Sequence, residues 1–375
     1  IVFGDWSSDV CSSDLFGLSL AAAIYSGFTG PCPMLGIAVV SAIVSLAVLA
    51  SKSPVFSSVA FSLWMIASVT APMFYPEYFS TVNGFELKRI VIPLIMFIMF
   101  GMGTTLSVGD FKRVLLMPHA VLIGVVLQFT VMPFVGKFVA MTFAHQYKEV
   151  AAGVVLVGTA PGGVASNVIC YLANANVALS VTMTACSTFV SPFVSPALTK
   201  MLAGAYIKVD FWAMMFSMMK MVILPVTAGI LVNKVLRELG RMHAFMRTVS
   251  DVIFKSLPLF AMAAICISVA IMTSGARSQL LIGSIVVAIL SSVIVHNAFG
   301  LLLGYWGARL FRLDEKSCRT LAVEVGMQNS GMAAGLALEV FKSPLAAVPG
   351  VVYSSWHNIS GAVLASWWRR KPTEK

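Results

Sequence analysis

The sequence predicts an all-α integral membrane protein of ten transmembrane helices, and three observations carry that prediction. The 375 residues are 59% hydrophobic and 11% charged, with a mean hydropathy of +0.92, whereas soluble domains carry about 25% charged residues. From residue 58 onward, apolar stretches long enough to cross hydrocarbon follow one another with short polar breaks. Basic residues collect in alternate breaks, the pattern that fixes the orientation of a membrane protein.

Residues 1–57 read as an N-terminal extension. Within it, residues 1–15 repeat Ser-Ser-Asp, fit neither a signal peptide nor a span, and look like a translated linker. Gly30-Pro31-Cys32-Pro33 interrupts the apolar run that follows. The stretch 35–50 is short for a span and leaves an extra helix open. The ten spans are expected near 58–76, 90–108, 117–143, 149–174, 177–203, 213–235, 252–274, 279–308, 317–341 and 345–368. They divide into five-helix halves, 58–204 and 212–368, followed by a tail at 369–375.

Charge placement gives the orientation. With Lys52 and the tail inside, the cytoplasmic side receives fifteen Lys and Arg residues and the other side seven. Both ends of the ten-helix unit are then cytoplasmic, with the longer basic loop Asn233–Asp251 on the same side. The net charge of +10 is thereby read as a topology signal. No basic run is interleaved with exposed aromatics, so nucleic-acid binding is not expected. Cys11, Cys32, Cys170, Cys186, Cys266 and Cys318 show no ligand spacing, which leaves zinc, haem and iron–sulfur roles without support. The expectation is a monomer in the plasma (inner) membrane, surrounded by lipid.

Each half has an odd number of spans, so the halves have opposite orientations. Each carries one polar, glycine-interrupted helix in fourth place, Ala160–Asn167 and Glu324–Gly331. Paired interrupted helices at corresponding positions point to a transporter binding site. Pro161 removes a helical hydrogen bond while Gly162, Gly163, Gly326 and Gly331 loosen the backbone. An ordinary proline kink with its polar groups bonded to neighbouring helices is the alternative. Ser180 and Thr184 are four residues apart and share a helix face, although bonds to the preceding turn would also satisfy them. Gln128 sits in mid-span and needs a partner.

Glu324 is the sole acid well inside a span. A lone carboxylate among hydroxyls and amides suits a desolvated hard cation such as Na⁺, whereas thiolates and imidazoles would suit softer metals. The competing reading is an interfacial acid, since Glu324 follows Arg319 by five residues and lies about 10 Å along its helix.

Ala160-Pro161-Gly162-Gly163, Ser166-Asn167-Val168, Asn176 to Ser180, Glu324 to Gly331 and Trp356 to Gly361 together resemble the bile acid:sodium symporter family, over residues 58 to 368. The resemblance implies two inverted five-helix repeats, a core domain moving against a panel domain, and interrupted helices crossing near the bilayer middle. It implies two coupling Na⁺ ions. One would be held by Ser166, Asn167, Ser180, Thr184 and Glu324. The other would be held by the Gln128 and Gln328 side chains with the carbonyls of Glu324, Val325 and Met327. Asn329 and His357 would line the substrate cavity. Val164 stands where bacterial relatives carry a hydroxyl residue, which bears on substrate identity. The implied function is sodium-coupled import of an organic anion such as a bile acid, a pantothenate-like acid or another carboxylate, by alternating access. A proton-coupled or sodium-independent carrier of the same architecture is the alternative, through Glu324 and His357. No Asp-rich diphosphate motif, HExxH or Gly-x-Ser-x-Gly elbow suggests an enzyme.

Overall fold

The computed structural model describes residues 33–52, 57–114, 116–242 and 244–373. The linker-like residues 1–15 therefore lie outside the described residues. Helices dominate in chain order: α1 (Pro33–Lys52), α2 (Ser57–Phe74), the short α3 (Glu77–Ser80), α4 (Lys88–Thr105), α5 (Val108–Val114), α6 (Pro118–Phe143), α7 (Lys148–Thr159), α8 (Ala165–Leu172) and α9 (Val177–Ala203). The second half continues with α10 (Phe211–Met218), α11 (Leu224–Met242), α12 (Ala244–Gly275), the short α13 (Arg277–Leu280), α14 (Gly283–Leu310), α15 (Glu315–Gly326), α16 (Ser330–Glu339) and α17 (Pro344–Arg369). Seven helical stretches among the described residues are long and apolar enough to cross a membrane. The stretch left open at 35–50 is helical, as part of α1.

By packing, the described chain divides into two compact units. Of the described residues, one comprises those within 33–88 and 266–277, the other those within 89–265 and 278–373. In the first unit α1 rests on the end of α2, where a methyl at Gly36 would lie 2.8 Å from the Phe74 side chain. A two-residue hairpin follows, pairing Thr81 with Glu86 and Val82 with Phe85. Asn83 and Gly84 both take positive φ, 48° and 80°, the backbone that a two-residue hairpin turn demands.

The second unit holds both interrupted helices. Their ends are set by local chemistry. Asp314 caps α15, its Oδ2 accepting from the Ser317 amide at 3.3 Å. Asn329 caps α16 by accepting from the Met332 amide at 3.2 Å, and Ser343 caps α17 through the Ala346 amide at 3.0 Å. Each accepts from an amide that a helix N-terminus leaves free. Small residues let these helices close in on one another. A methyl at Gly304 of α14 would stand 2.7 Å from the Leu321 carbonyl oxygen of α15.

One expectation is corrected. Residues 233–251 are not a loop: α11 runs to Met242 and α12 begins at Ala244. Polar contacts along the helix support this. Arg237 donates to the Asn233 side chain, and Arg241 pairs with Glu238 at 2.8 Å. The basic residues decorate helix surfaces instead of a connection.

Arg319 is 1% exposed and ties several helix ends together. Its Nε donates to Glu315 at 2.9 Å, and its Nη1 donates to the carbonyls of Ala173 (3.2 Å) and Trp368 (3.0 Å). Its Nη2 reaches the Pro372 carbonyl at 3.1 Å. One guanidinium therefore closes the ends of α8 and α17 onto the start of α15. Arg319→Leu removes the shared donor of those carbonyls and leaves Glu315 with Tyr305 and the more distant Arg309, at an expected cost of about 3 kcal/mol. A clearly lower melting temperature in detergent is the expected reading, and an unchanged one would contradict the assignment.

Candidate functional site

An interrupted helix frees backbone groups that must find other partners. The first interruption falls between Thr159 and Ala165, the second between Gly326 and Ser330. The two interruptions pair with each other. Gly163 N–H donates to the Met327 carbonyl at 2.9 Å and Asn329 N–H donates to the Pro161 carbonyl at 2.8 Å. Gly162 and Gln328 thus face each other as one rung of an antiparallel ladder. The remaining freed carbonyls of the first break take side-chain donors: Ser195 reaches Thr159 O at 2.6 Å and Gln128 reaches Ala160 O at 2.9 Å. In the second break Gln328 Nε2 reaches Val325 O at 2.6 Å, and Gly326 O accepts from Asn297 and Tyr353. None of these donors reaches Glu324 O.

Beside this rung lies the Glu324 carboxylate, 1% exposed. That burial removes the interfacial reading, in which the side chain returns to water. Its Oε1 accepts from Ser166 and Ser180, and its Oε2 accepts from Thr184 at 2.9 Å. Ser166 also faces the Gly163 carbonyl at 2.7 Å, and Ser180 faces Asn167 Oδ1 at 2.7 Å. A hydroxyl carries one proton, so these two serines have two protons for four acceptor contacts. The cluster is rich in oxygen and poor in protons. None of the ion pairs among the described residues involves Glu324. A buried, unpaired carboxylate ringed by neutral oxygens is the donor set of a hard cation. No group of three or more His, Cys, Asp or Glu residues stands together among the described residues.

The five residues of the first predicted ion site, Ser166, Asn167, Ser180, Thr184 and Glu324, are thus brought into one hydrogen-bonded cluster. Of the second set, Gln128 donates to Gln328 Oε1 at 2.6 Å, and the Val325 and Met327 carbonyls accept from Gln328 Nε2 and Gly163 N–H. Asn329 stands in the second break with its side-chain oxygen engaged in capping. His357 is 4% exposed, lies edge-on to the Tyr353 ring at 5.5 Å, and has a buried Nδ1 with no hydrogen-bond partner. No hydrogen bond joins Asn329 to His357 among those described.

The glycines are sorted differently from the expectation. Gly163 sits in the break, where a methyl would stand 2.9 Å from the Gln328 carbonyl oxygen. Gly331 does not interrupt its helix. It lies in the first turn of α16, and a methyl there would meet nothing within 4 Å. Gly326 ends α15 and is needed for close approach, since a methyl would lie 2.6 Å from Leu301. Ser187, whose hydroxyl accepts from Gly162 N–H at 3.3 Å, and Ser195, Asn297 and Tyr353 also serve the breaks, with Ser360 bonded to Asn297; none of them is among the sequence-predicted site residues. The mid-span amide of Asn297 carries the same signal as Gln128.

Residues 92–284 match the family model described as the sodium bile acid symporter family. The chain is 38% identical to an uncharacterised sodium-dependent transporter, YocS, of Bacillus subtilis, over 85% of this chain and 94% of that protein. It is 37% identical to the probable sodium/metabolite cotransporter BASS1, chloroplastic, of Arabidopsis thaliana, over 84% of this chain and 74% of that protein. It is 32% identical to the probable sodium/metabolite cotransporter BASS2, chloroplastic, of rice (Oryza sativa subsp. japonica), over 83% and 70%.

Two alanine substitutions separate the glycine roles. Gly163→Ala pushes the paired breaks apart and is expected to cost about 1–3 kcal/mol. Gly331→Ala, in open space on a helix, is expected to be neutral or to stabilise by about 0.5–1 kcal/mol. Thermal unfolding of both variants checks the pair, and equal losses would contradict the geometry.

Proposed function

The chain belongs to the sodium bile acid symporter family, and from that footing we propose that it is a sodium-coupled symporter of a small organic anion. It is a multi-pass membrane protein of a sodium-dependent transporter family, and not an enzyme. The single observation that carries the coupling proposal is the Glu324 cluster. A buried carboxylate with no partner cation, facing hydroxyls that lack protons to share, sits against the rung that joins the two interrupted helices.

In this reading one Na⁺ takes Ser166, Asn167, Ser180, Thr184 and Glu324 as its oxygen ligands. A second takes the Gln128 and Gln328 side-chain oxygens with the carbonyls of Glu324, Val325 and Met327. Sodium removes the excess of negative charge and fastens the two breaks together, because its ligands come from α6, α8, α9, the end of α15 and the segment joining α15 to α16. Asn329 beside the rung and the unpartnered His357 Nδ1 supply polar groups for the anion, whose class is a carboxylate such as a bile acid or a pantothenate-like acid. The interrupted pair and the helices that hold it swing as one body between the two faces of the membrane. Coupling is a reciprocal free energy, so bound Na⁺ raises anion affinity by the factor by which the anion raises Na⁺ affinity. The charge asymmetry of the sequence supports a cytoplasmic C-terminus, and the bacterial relative supports a plasma-membrane location.

Purified protein in proteoliposomes tests this with a panel of radiolabelled organic carboxylates under an inward Na⁺ gradient and under an equal K⁺ gradient. Accumulation of at least one anion under Na⁺ alone is expected. Glu324→Gln keeps the shape of the side chain and loses its charge, so the folded variant is expected to lose Na⁺-driven uptake entirely. Uptake driven equally by a proton gradient in K⁺, or wild-type Na⁺-driven uptake by Glu324→Gln, would refute the proposal.

A further inference from the structure

The carbonyl of Gly326 is the last of α15, and it is held from two sides. Asn297 Nδ2 of α14 donates to it at 2.9 Å and the Tyr353 hydroxyl of α17 donates at 2.8 Å. Asn297 and Tyr353 are each 1% exposed. The Asn297 amide is itself oriented, since its Oδ1 accepts from the Ser360 hydroxyl at 2.6 Å. The Tyr353 ring is wedged between His296, at 5.6 Å and 72°, and His357, at 5.5 Å and 77°. Neither donor touches the Glu324 cluster or the facing break. They act on one peptide group.

That peptide controls its neighbours. Met327 takes extended angles, φ −111° and ψ 94°, and along extended backbone successive carbonyls point to opposite sides. With the Gly326 carbonyl drawn toward α14 and α17, the Met327 carbonyl is turned toward the first break, where it accepts from Gly163 N–H at 2.9 Å. The same peptide is held on its other side by Met327 N–H, which donates to the Val323 carbonyl at 2.9 Å, so losing a donor to Gly326 O loosens the peptide and lets the Met327 carbonyl tilt from the rung and from the second cation position. A carbonyl bonded to two buried donors is costly to turn, because rotation would orphan all three groups.

We propose that Asn297, oriented by Ser360, and Tyr353 are positioning residues for sodium: they clamp the Gly326 carbonyl and so aim the Met327 carbonyl at the ion. This rests on the sodium reading of the Glu324 cluster. It assigns a function in ion affinity to a polar patch on α14 and α17 that supplies no ion ligand itself, although the Tyr353 ring packs against His357.

The test uses the purified full chain in detergent and in proteoliposomes. Tyr353→Phe keeps the ring and removes only the hydroxyl, while Ser360→Ala removes only the orienting bond to Asn297. For both, the readouts are the melting temperature without Na⁺, the Na⁺ concentration for half-maximal thermal stabilisation, and the maximal uptake rate at saturating Na⁺. Tyr353→Phe is expected to raise the half-maximal Na⁺ concentration about fivefold, the loss of one buried hydrogen bond, with maximal uptake retained. Ser360→Ala is expected to shift it in the same direction and by less. A lowered Na⁺-free melting temperature with an unchanged half-maximal Na⁺ concentration would reduce the clamp to plain structural support and overturn the inference. Wild-type protein that Na⁺ stabilises no better than K⁺ would overturn the sodium reading, and this inference with it. A wild type stabilised by Na⁺ with both variants unshifted overturns the inference alone.

Discussion

The structure depends on two interrupted helices satisfying one another. Breaking a helix inside hydrocarbon strands backbone amides and carbonyls where no water can reach them, each at a cost of several kcal/mol. Here Gly163 N–H and Asn329 N–H each find the carbonyl of the opposite break, so neither interruption is affordable without the other. The pairing requires that nothing stand between the backbones, which is why Gly163 faces the Gln328 backbone without a side chain. The carboxylate of Glu324 then has only one place to go: into the gap beside the rung, against Gly162, where a methyl would lie 2.9 Å from its Oε2.

That placement leaves a charge without a counter-charge. Hydroxyl groups from α8 and α9 solvate it, but neutral dipoles do not neutralise a buried carboxylate. In the proposed sodium reading, that deficit makes the cluster a receptor for a cation. It would also link ion binding to conformation, since the proposed ligands are divided between the two breaks and the helices that support them. Support comes from a distance as well. Arg319 gathers the far ends of α8, α15 and α17, while Asn297 and Tyr353 fix the peptide next to the rung.

Much of this was legible in the sequence where the chemistry is local. A carboxylate and a Pro-Gly-Gly in apolar stretches each strain what hydrocarbon tolerates, so each draws attention without any knowledge of packing, whereas the hydroxyls four residues apart showed only a shared helix face. What escaped was set by partners distant in sequence or by glycines of a different kind. Gly331 looked like a helix breaker but occupies an ordinary first turn, because Asn329 already caps that helix. Asn297, Tyr353 and Ser360 become meaningful only once α14 and α17 flank the second break. The stretch 233–251 suggests a loop by its charge alone, whereas its basic residues stand on the end of α11 and the start of α12. The hairpin at 81–86 has its sequence signal in Asn83-Gly84.

The central claim is that sodium fastens the two breaks to each other through Glu324. Hydrogen–deuterium exchange of peptides covering 160–167 and 324–331, in Na⁺ and in K⁺ at equal ionic strength, measures that most directly. Exchange is expected to slow in both peptides together on going from K⁺ to Na⁺, and to show no such difference in Glu324→Gln. Equal exchange in the two salts, or protection of one break without the other, would contradict the account.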